Sequence, residues 1–137
     1  MLRNFVLFFV VCMFFAVPAT AATPASRAYG KLDTKALEIM LRSPTPPVML
    51  DARKPRYDDG ERIGNAVLMP PGTSAEEIAR VVPNKDTLIV TYCSHMRCPL
   101  SHELAEDLIG KGYRNVLVYP YGLKGWKEAG LSLKRAN

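Results

Sequence analysis

Cys93 ends a β-branched, apolar run, Leu88-Ile89-Val90-Thr91-Tyr92, and a short loop, Ser94-His95-Met96-Arg97-Cys98, follows before Pro99 opens a helical pattern. A thiol between the carboxyl end of a strand and the amino end of a helix is well placed to ionise. Loop N–H groups and the helix dipole both stabilise negative charge there. Such a thiolate is a nucleophile or a metal ligand. The nucleophile reading needs Cys93 alone, with no general base if the local field lowers the thiol pKa. The ligand reading uses Cys93, His95, Cys98 and His102, which place both histidines of the chain beside two cysteines in a Cys-x-His-x2-Cys-x3-His pattern. Those donors suit Zn²⁺ or Cu⁺, with Met96 as a further ligand for the latter. Each residue also has a plainer role. Cys93 is then a small buried side chain, His102 a polar residue on an exposed helix face, Arg97 a loop charge and Ser94 a turn former.

The surrounding pattern supplies the frame. Tyr29 to Leu32 reads as a short edge strand. Asp33-Thr34 starts a helix whose apolar face is Leu37, Ile39, Met40 and Leu41, and Pro44, Pro46 and Pro47 end it. Val48 to Asp51 is a buried strand closing on a carboxylate, and 54–62 is polar and turn-rich. Ala66 to Met69 is a second short run, stopped by Pro70-Pro71-Gly72. Thr73 or Ser74 caps a helix over 75–82, with Glu76 and Glu77 favoured in its first turn. Leu100, Leu104 and Leu108 recur at helical spacing, Gly110 and Gly112 end that helix, and Val116 to Tyr119 is the next strand. Gly122, Leu123, Gly125 and Trp126 lie in a final turn and short helix. Strands alternating with helices predict an α/β domain with a mainly parallel sheet covered on both faces. Ligands of such sheets bind at the carboxyl ends of the strands, where both Asp51 and Cys93 fall.

The start of the chain has a different character. Met1 to Asn4 carries one basic residue, Phe5 to Val17 is an apolar run of 13 residues, Pro18 breaks it, and Ala19-Thr20-Ala21 has the small-x-small pattern of a cleavage site. Residues 1–21 therefore read as a secretory signal peptide, with a retained anchor as the alternative, 22–28 a flexible leader, 29–133 one domain and 134–137 a tail. The expected location is the periplasm or outside the cell, with no stable membrane association after cleavage. Cys12 falls in the signal, which leaves Cys93 and Cys98 as one close pair in an oxidising compartment. Without Arg3 the 18 basic side chains become 17 against 13 acidic ones, a net charge of +4. The small groups Arg53, Lys54 and Arg56, and Lys134 with Arg135, are not long runs interleaved with aromatics, so nucleic acid is not an expected partner. A mild positive field does favour the approach of an anionic substrate.

Several segments, in order, resemble the rhodanese-like domain family. Val48-Met49-Leu50-Asp51-Ala52-Arg53 is similar to its strand ending in Asp-x-Arg. Ile63 to Pro70 resembles the segment that follows, with Glu61-Arg62 in place of the usual Gly-His. Leu88 to Cys93 resembles the strand leading to the active-site cysteine, and Leu108 to Val116 the helix end and next strand. Tyr121-Gly122-Leu123-Lys124-Gly125-Trp126 resembles a Gly-Gly-x-x-x-Trp closing motif with Tyr121 at the first glycine. The likeness spans about residues 29–131.

The resemblance implies a three-layer α/β domain and a sulfurtransferase in which Cys93 carries a persulfide. It implies a small anionic sulfur donor such as thiosulfate, a thiol or cyanide acceptor, and no cofactor. Ser94, His95, Met96, Arg97 and Cys98 would form the active-site loop, and Asp51 and Arg53 would support it, Arg53 by pairing with Asp58 or Asp59. The loop departs from the common Cys-x-x-Gly-x-Arg-Ser form. It has no glycine, places Arg97 one position early, and resembles a subset of exported members with Cys-x4-Cys-Pro-x-Ser. Cys98 could close a disulfide with Cys93, resolve a persulfide, or stand as an inert thiol. A thiol-redox or metal-binding protein and a non-catalytic binding module remain the alternatives. Related phosphatases require Cys-x5-Arg, and the sixth residue after Cys93 is Pro99.

Overall fold

Neighbouring positions along the central strands go to opposite faces of one sheet. Leu50, Ile89, Val116 and Val118 join one buried cluster, while Met49, Val90, Tyr92 and Tyr119 join another. That period of two builds a sheet covered on both sides. The computed structural model describes residues 28–136. The segment read as a signal peptide, and the leader up to residue 27, lie outside the described residues.

The elements in chain order are β1 (Gly30–Lys31), α1 (Thr34–Leu41), β2 (Val48–Asp51), a 3-10 turn (Pro55–Tyr57), β3 (Glu61–Arg62), β4 (Val67–Leu68), α2 (Ala75–Val81), β5 (Leu88–Tyr92), α3 (Leu100–Gly110), β6 (Asn115–Tyr119), α4 (Gly122–Glu128) and β7 (Lys134–Arg135). Five strands form a parallel sheet in the order β1-β6-β5-β2-β4. Helices α2 and α3 cover one face through Ile78, Leu104, Ala105 and Leu108. Helices α1 and α4 cover the other through Leu37, Leu123 and Trp126. The three-layer α/β architecture expected from the sequence is the architecture observed.

Local chemistry sets the helix starts. The Asp33 carboxylate accepts from Ala36 N at 2.7 Å. Ser74 and Glu77 form a reciprocal capping box at the start of α2. The segment set apart in the sequence as a tail contributes a strand: Lys134–Arg135 pairs antiparallel with Glu61–Arg62. Among the described residues no helix is long and apolar enough to cross a membrane.

The strand order puts β5 in the middle of the sheet, between β2 and β6. In register, Asp51 lies opposite Tyr92, and Tyr92 opposite Tyr119. Three strands thus end side by side, and the residue after Tyr92 is Cys93.

Candidate active site

Cys93 follows the last residue of the central strand and is 2% exposed. Both feet of its loop are held. On the strand side, Ala52 N donates to Tyr92 O at 2.8 Å, extending the β2–β5 ladder to the strand end. On the helix side, the buried Thr91 hydroxyl donates to Ser101 O at 2.8 Å, tying the first turn of α3 to β5. Between these feet, Cys98 N donates to His95 O at 3.0 Å and Arg97 N to His95 Nδ1 at 3.2 Å. A disulfide joins Cys93 and Cys98, whose Cα atoms are 6.2 Å apart. Two loop N–H groups therefore face His95 in this oxidised form. The Ser94 hydroxyl oxygen lies 4.0 Å from Cys93 Sγ.

The start of α4 clasps the loop from the opposite side. Leu123 N donates to Cys93 O at 3.0 Å and Lys124 N to Ser94 O at 2.9 Å. The backbones meet so closely that a Cβ on Gly122 would lie 2.4 Å from Cys93 O and 2.7 Å from His95 N. Gly122 also has φ +64°, a left-handed conformation that side chains disfavour. Its place in the sequence motif thus has a steric reason.

Asp51 and Arg53 form the floor beside the loop, 0% and 2% exposed. Arg53 Nε reaches both Asp51 oxygens at 3.0 Å, and Nη2 donates to Asp51 Oδ2 at 2.8 Å. Its remaining donors go to Asp59 Oδ1 at 2.8 Å, Glu61 O at 2.8 Å and Tyr57 O at 3.3 Å. Burial alone would lower the Arg53 pKa, but hydrogen bonds and charge from Asp51 and Asp59 outweigh it and raise it. Tyr92 adds its hydroxyl, which donates to Asp51 Oδ2 at 3.1 Å and accepts from Ile63 N at 3.2 Å. Burial, then the Asp51 charge, pushes the Tyr92 pKa well above the phenol range. Arg62 forks onto Asp58 at 2.6 and 2.7 Å. With its donors engaged inside the protein, Arg53 positions the 54–62 segment, and one face of that segment borders the cleft over Cys93.

That cleft is about 320 Å³ and is lined by Arg53, Tyr57, Cys93, Ser94, His95, Arg97, Cys98, Pro99 and Leu100. An adjoining surface adds Lys124 and Lys127, and another adds Met96 and Tyr121. Arg97 makes no ion pair among the described residues, so its charge is available to an anion in the cleft.

The four residues considered as metal ligands do not converge. The two sulfurs are bonded to each other, and His102 Nδ1 is 3.0 Å from the Tyr29 hydroxyl, with which it shares a hydrogen bond. Helix α3 carries His102 toward the chain's first strand while the loop holds His95 beside Arg97. Among the described residues no group of three or more His, Cys, Asp or Glu side chains is arranged to hold an ion. The sequence singles out Asp58 or Asp59 as a partner of Arg53, and both lie beside it; it does not single out Tyr92, Arg62 or the clasp through Gly122 as parts of the site. The signal for Tyr92 was present: it precedes the cysteine on a strand whose register partner ends in Asp51.

Residues 33–129 match the model of the rhodanese-like domain. The chain belongs to the rhodanese-like domain family. Among solved structures, a thiosulfate sulfurtransferase from Pseudomonas aeruginosa is similar at a TM-score of 0.64 and 20% identity, over 80% of this chain and 21% of that one. The rhodanese-like chain thus spans about a fifth of that enzyme's length. A rhodanese with anions from E. coli is similar at a TM-score of 0.53 and 27% identity, over 66% of this chain and 99% of that one. A polysulfide-sulfur transferase homodimer from Wolinella succinogenes gives 0.61 and 20%, over 80% and 82%. The likenesses at 20% identity show the rhodanese-like fold. No curated protein matches the chain.

Two outcomes test this geometry. Gly122→Ala forces both a left-handed alanine and a backbone clash, a cost above about 1 kcal/mol, so the thermal midpoint falls by at least about 4 °C. An unchanged midpoint would contradict the clasp. The second concerns acid. The hydrogen bond from Arg62, helped by the Gly60 N–H, holds the Asp58 carboxyl well below the usual carboxylate range. The unfolded chain therefore takes up this proton first as pH falls. The stabilisation is complete above about pH 4 and is lost as pH drops toward the folded value. Melting curves of wild type and Asp58→Asn should differ most near pH 6 and draw progressively together as pH falls below about 4. A gap that stays constant with pH would count against the contact.

Proposed function

We propose that the protein is a sulfurtransferase that carries sulfane sulfur on Cys93 when the loop cysteines are reduced. The observation that carries this reading is the placement of Cys93: buried at the end of the central strand, opening on a cleft with free positive charge, and held by the clasp from α4. The sulfurtransferase names of structural neighbours lend support.

The chemistry follows from that position. Cys93 thiolate attacks the outer sulfur of an anionic donor such as thiosulfate, the S–S bond of the donor breaks, and sulfite leaves with the electron pair. Arg97, which makes no ion pair among the described residues, draws the donor in and offsets its charge, while Lys124 and Lys127 near the rim are paired with Glu128 and Glu61. The persulfide anion lies within the loop, near the Ser94 hydroxyl, and the loop amides that face His95 in the oxidised form become available to it once the disulfide opens. A thiol or cyanide then attacks the outer sulfur and Cys93 thiolate is released. Asp51 and Arg53 act by keeping the adjoining wall in place and do not touch the donor. Exposed Met96 and Tyr121 form an apolar rim on the same side, suited to an acceptor larger than cyanide.

We infer that this takes place outside the cytoplasm. Support comes from the signal-like segment 1–21 and from a disulfide between the two loop cysteines, a bond that persists in oxidising compartments.

Cys93→Ser tests the assignment. With reductant present, release of sulfite from thiosulfate should fall to the uncatalysed rate while the circular dichroism spectrum is unchanged. Sulfite release at the wild-type rate from that variant would overturn it.

A further inference from the structure

Cys98 faces Cys93 across its own loop, and an ordinary sulfurtransferase cycle has no use for it. The loop's ends are fixed by the Thr91–Ser101 hydrogen bond and by the clasp from α4. The turn between them is set by Arg97 and Cys98 N–H groups bonded to His95. With that backbone the two sulfurs meet, and their Cα separation of 6.2 Å lies within the usual disulfide range. A cross-link over so short a loop removes less chain entropy from the unfolded state than one that closes a long loop. Its value as a staple is at the low end for disulfides, and its position against the buried Cys93 gives it a chemical use.

We propose that Cys98 resolves the Cys93 persulfide, so that the protein reduces sulfane sulfur to sulfide at the expense of external thiols. This rests on the Cys93 persulfide proposed above. Cys98 thiolate attacks Cys93 Sγ, the inner sulfur. The bond to the outer sulfur breaks, HS⁻ leaves with the electron pair, and the Cys93–Cys98 disulfide forms. With thiosulfate as donor, one protein dithiol is oxidised, and one sulfite, one sulfide and one proton are released. The outer sulfur gains two electrons and the two cysteines lose them.

Return to the dithiol needs a thiol reductant, and the structure gives it a direction of entry. Cys93 is 2% exposed, whereas Cys98 is only half-buried. An external thiol therefore attacks the more accessible Cys98 Sγ and expels Cys93 as the thiolate. A second thiol then frees Cys98 from the mixed disulfide. A dithiol protein supplies both thiols in one encounter, and the exposed Met96 and Tyr121 beside the loop give it an apolar surface to meet.

A single turnover tests this. Protein is reduced, freed of reductant without air, given thiosulfate, and assayed for sulfite, sulfide and intact mass. Wild type should release about one equivalent each of sulfite and sulfide and end two hydrogens lighter than the dithiol. Cys98→Ser, with Cys98→Ala as a second variant, should still release sulfite, gain one sulfur atom, and yield at least about tenfold less sulfide. Wild type that releases sulfite and keeps the extra sulfur, or forms the disulfide without sulfide, would overturn the resolving step and leave the sulfurtransferase reading standing. Equal sulfide from wild type and the variants would overturn it too. No sulfite and no added sulfur in any of the proteins would overturn both readings.

Discussion

The backbone carbonyls of Cys93 and Ser94 accept hydrogen bonds from Leu123 and Lys124 at 3.0 and 2.9 Å, and the site depends on that contact. A loop leaving the end of a strand has polar groups that need partners once the loop is covered. Here the first turn of α4 supplies them, and only glycine at 122 lets the two backbones approach. The same helix buries Leu123 and Trp126 against the sheet, so the clasp is anchored by apolar packing. Trp126 stacks edge-on to Tyr119, whose hydroxyl shares a hydrogen bond with Thr34 at 2.8 Å. The loop's conformation is thus a property of one whole face of the domain.

The opposite wall relies on charge. Asp51, Arg53, Asp58, Asp59 and Arg62 are joined with Tyr92 beneath a turn-rich segment that has little apolar surface of its own. Burying a carboxylate and a guanidinium is costly, and their mutual attraction offsets that cost only when the hydrogen bonds are well satisfied. They are: no buried side-chain nitrogen or oxygen atom among the described residues lacks a partner. Removing either partner of the Asp51–Arg53 pair would leave an uncompensated charge, which typically costs about 3–5 kcal/mol. What the network provides is definition of the 54–62 segment at the cleft, where packing cannot provide it.

Legibility in the sequence followed the range of the interactions. Strand β5, the cysteine at its end, the Asp33 and Ser74 caps and the stripe on α3 rest on contacts within a few residues, and each was readable. The pairing of β3 with β7 was not. Two-residue strands of charged residues carry no periodicity, and their pairing is set by where α4 delivers the chain. The floor was half readable. Arg53 and an acidic partner at Asp58 or Asp59 lie close in sequence, but Arg53's main partner is Asp51, two residues away, and Tyr92 joins through strand register. The Cys-x-His-x2-Cys-x3-His spacing suggested a shared ion, yet one turn of helix is enough to turn His102 toward Tyr29. Sequence spacing reports neighbours along the chain, and helix phase decides which of them face one another.

Cys93 Sγ is the atom proposed to hold the sulfur, inside a loop that Cys98 closes. A crystal structure of the reduced Cys98→Ser protein treated with thiosulfate examines this directly. The expected result is density for one additional sulfur on Cys93 Sγ, enclosed by the 94–97 loop, with the hydrogen bonds from Leu123 and Lys124 intact. An unmodified Cys93, in protein shown by mass to carry the added sulfur, would contradict it.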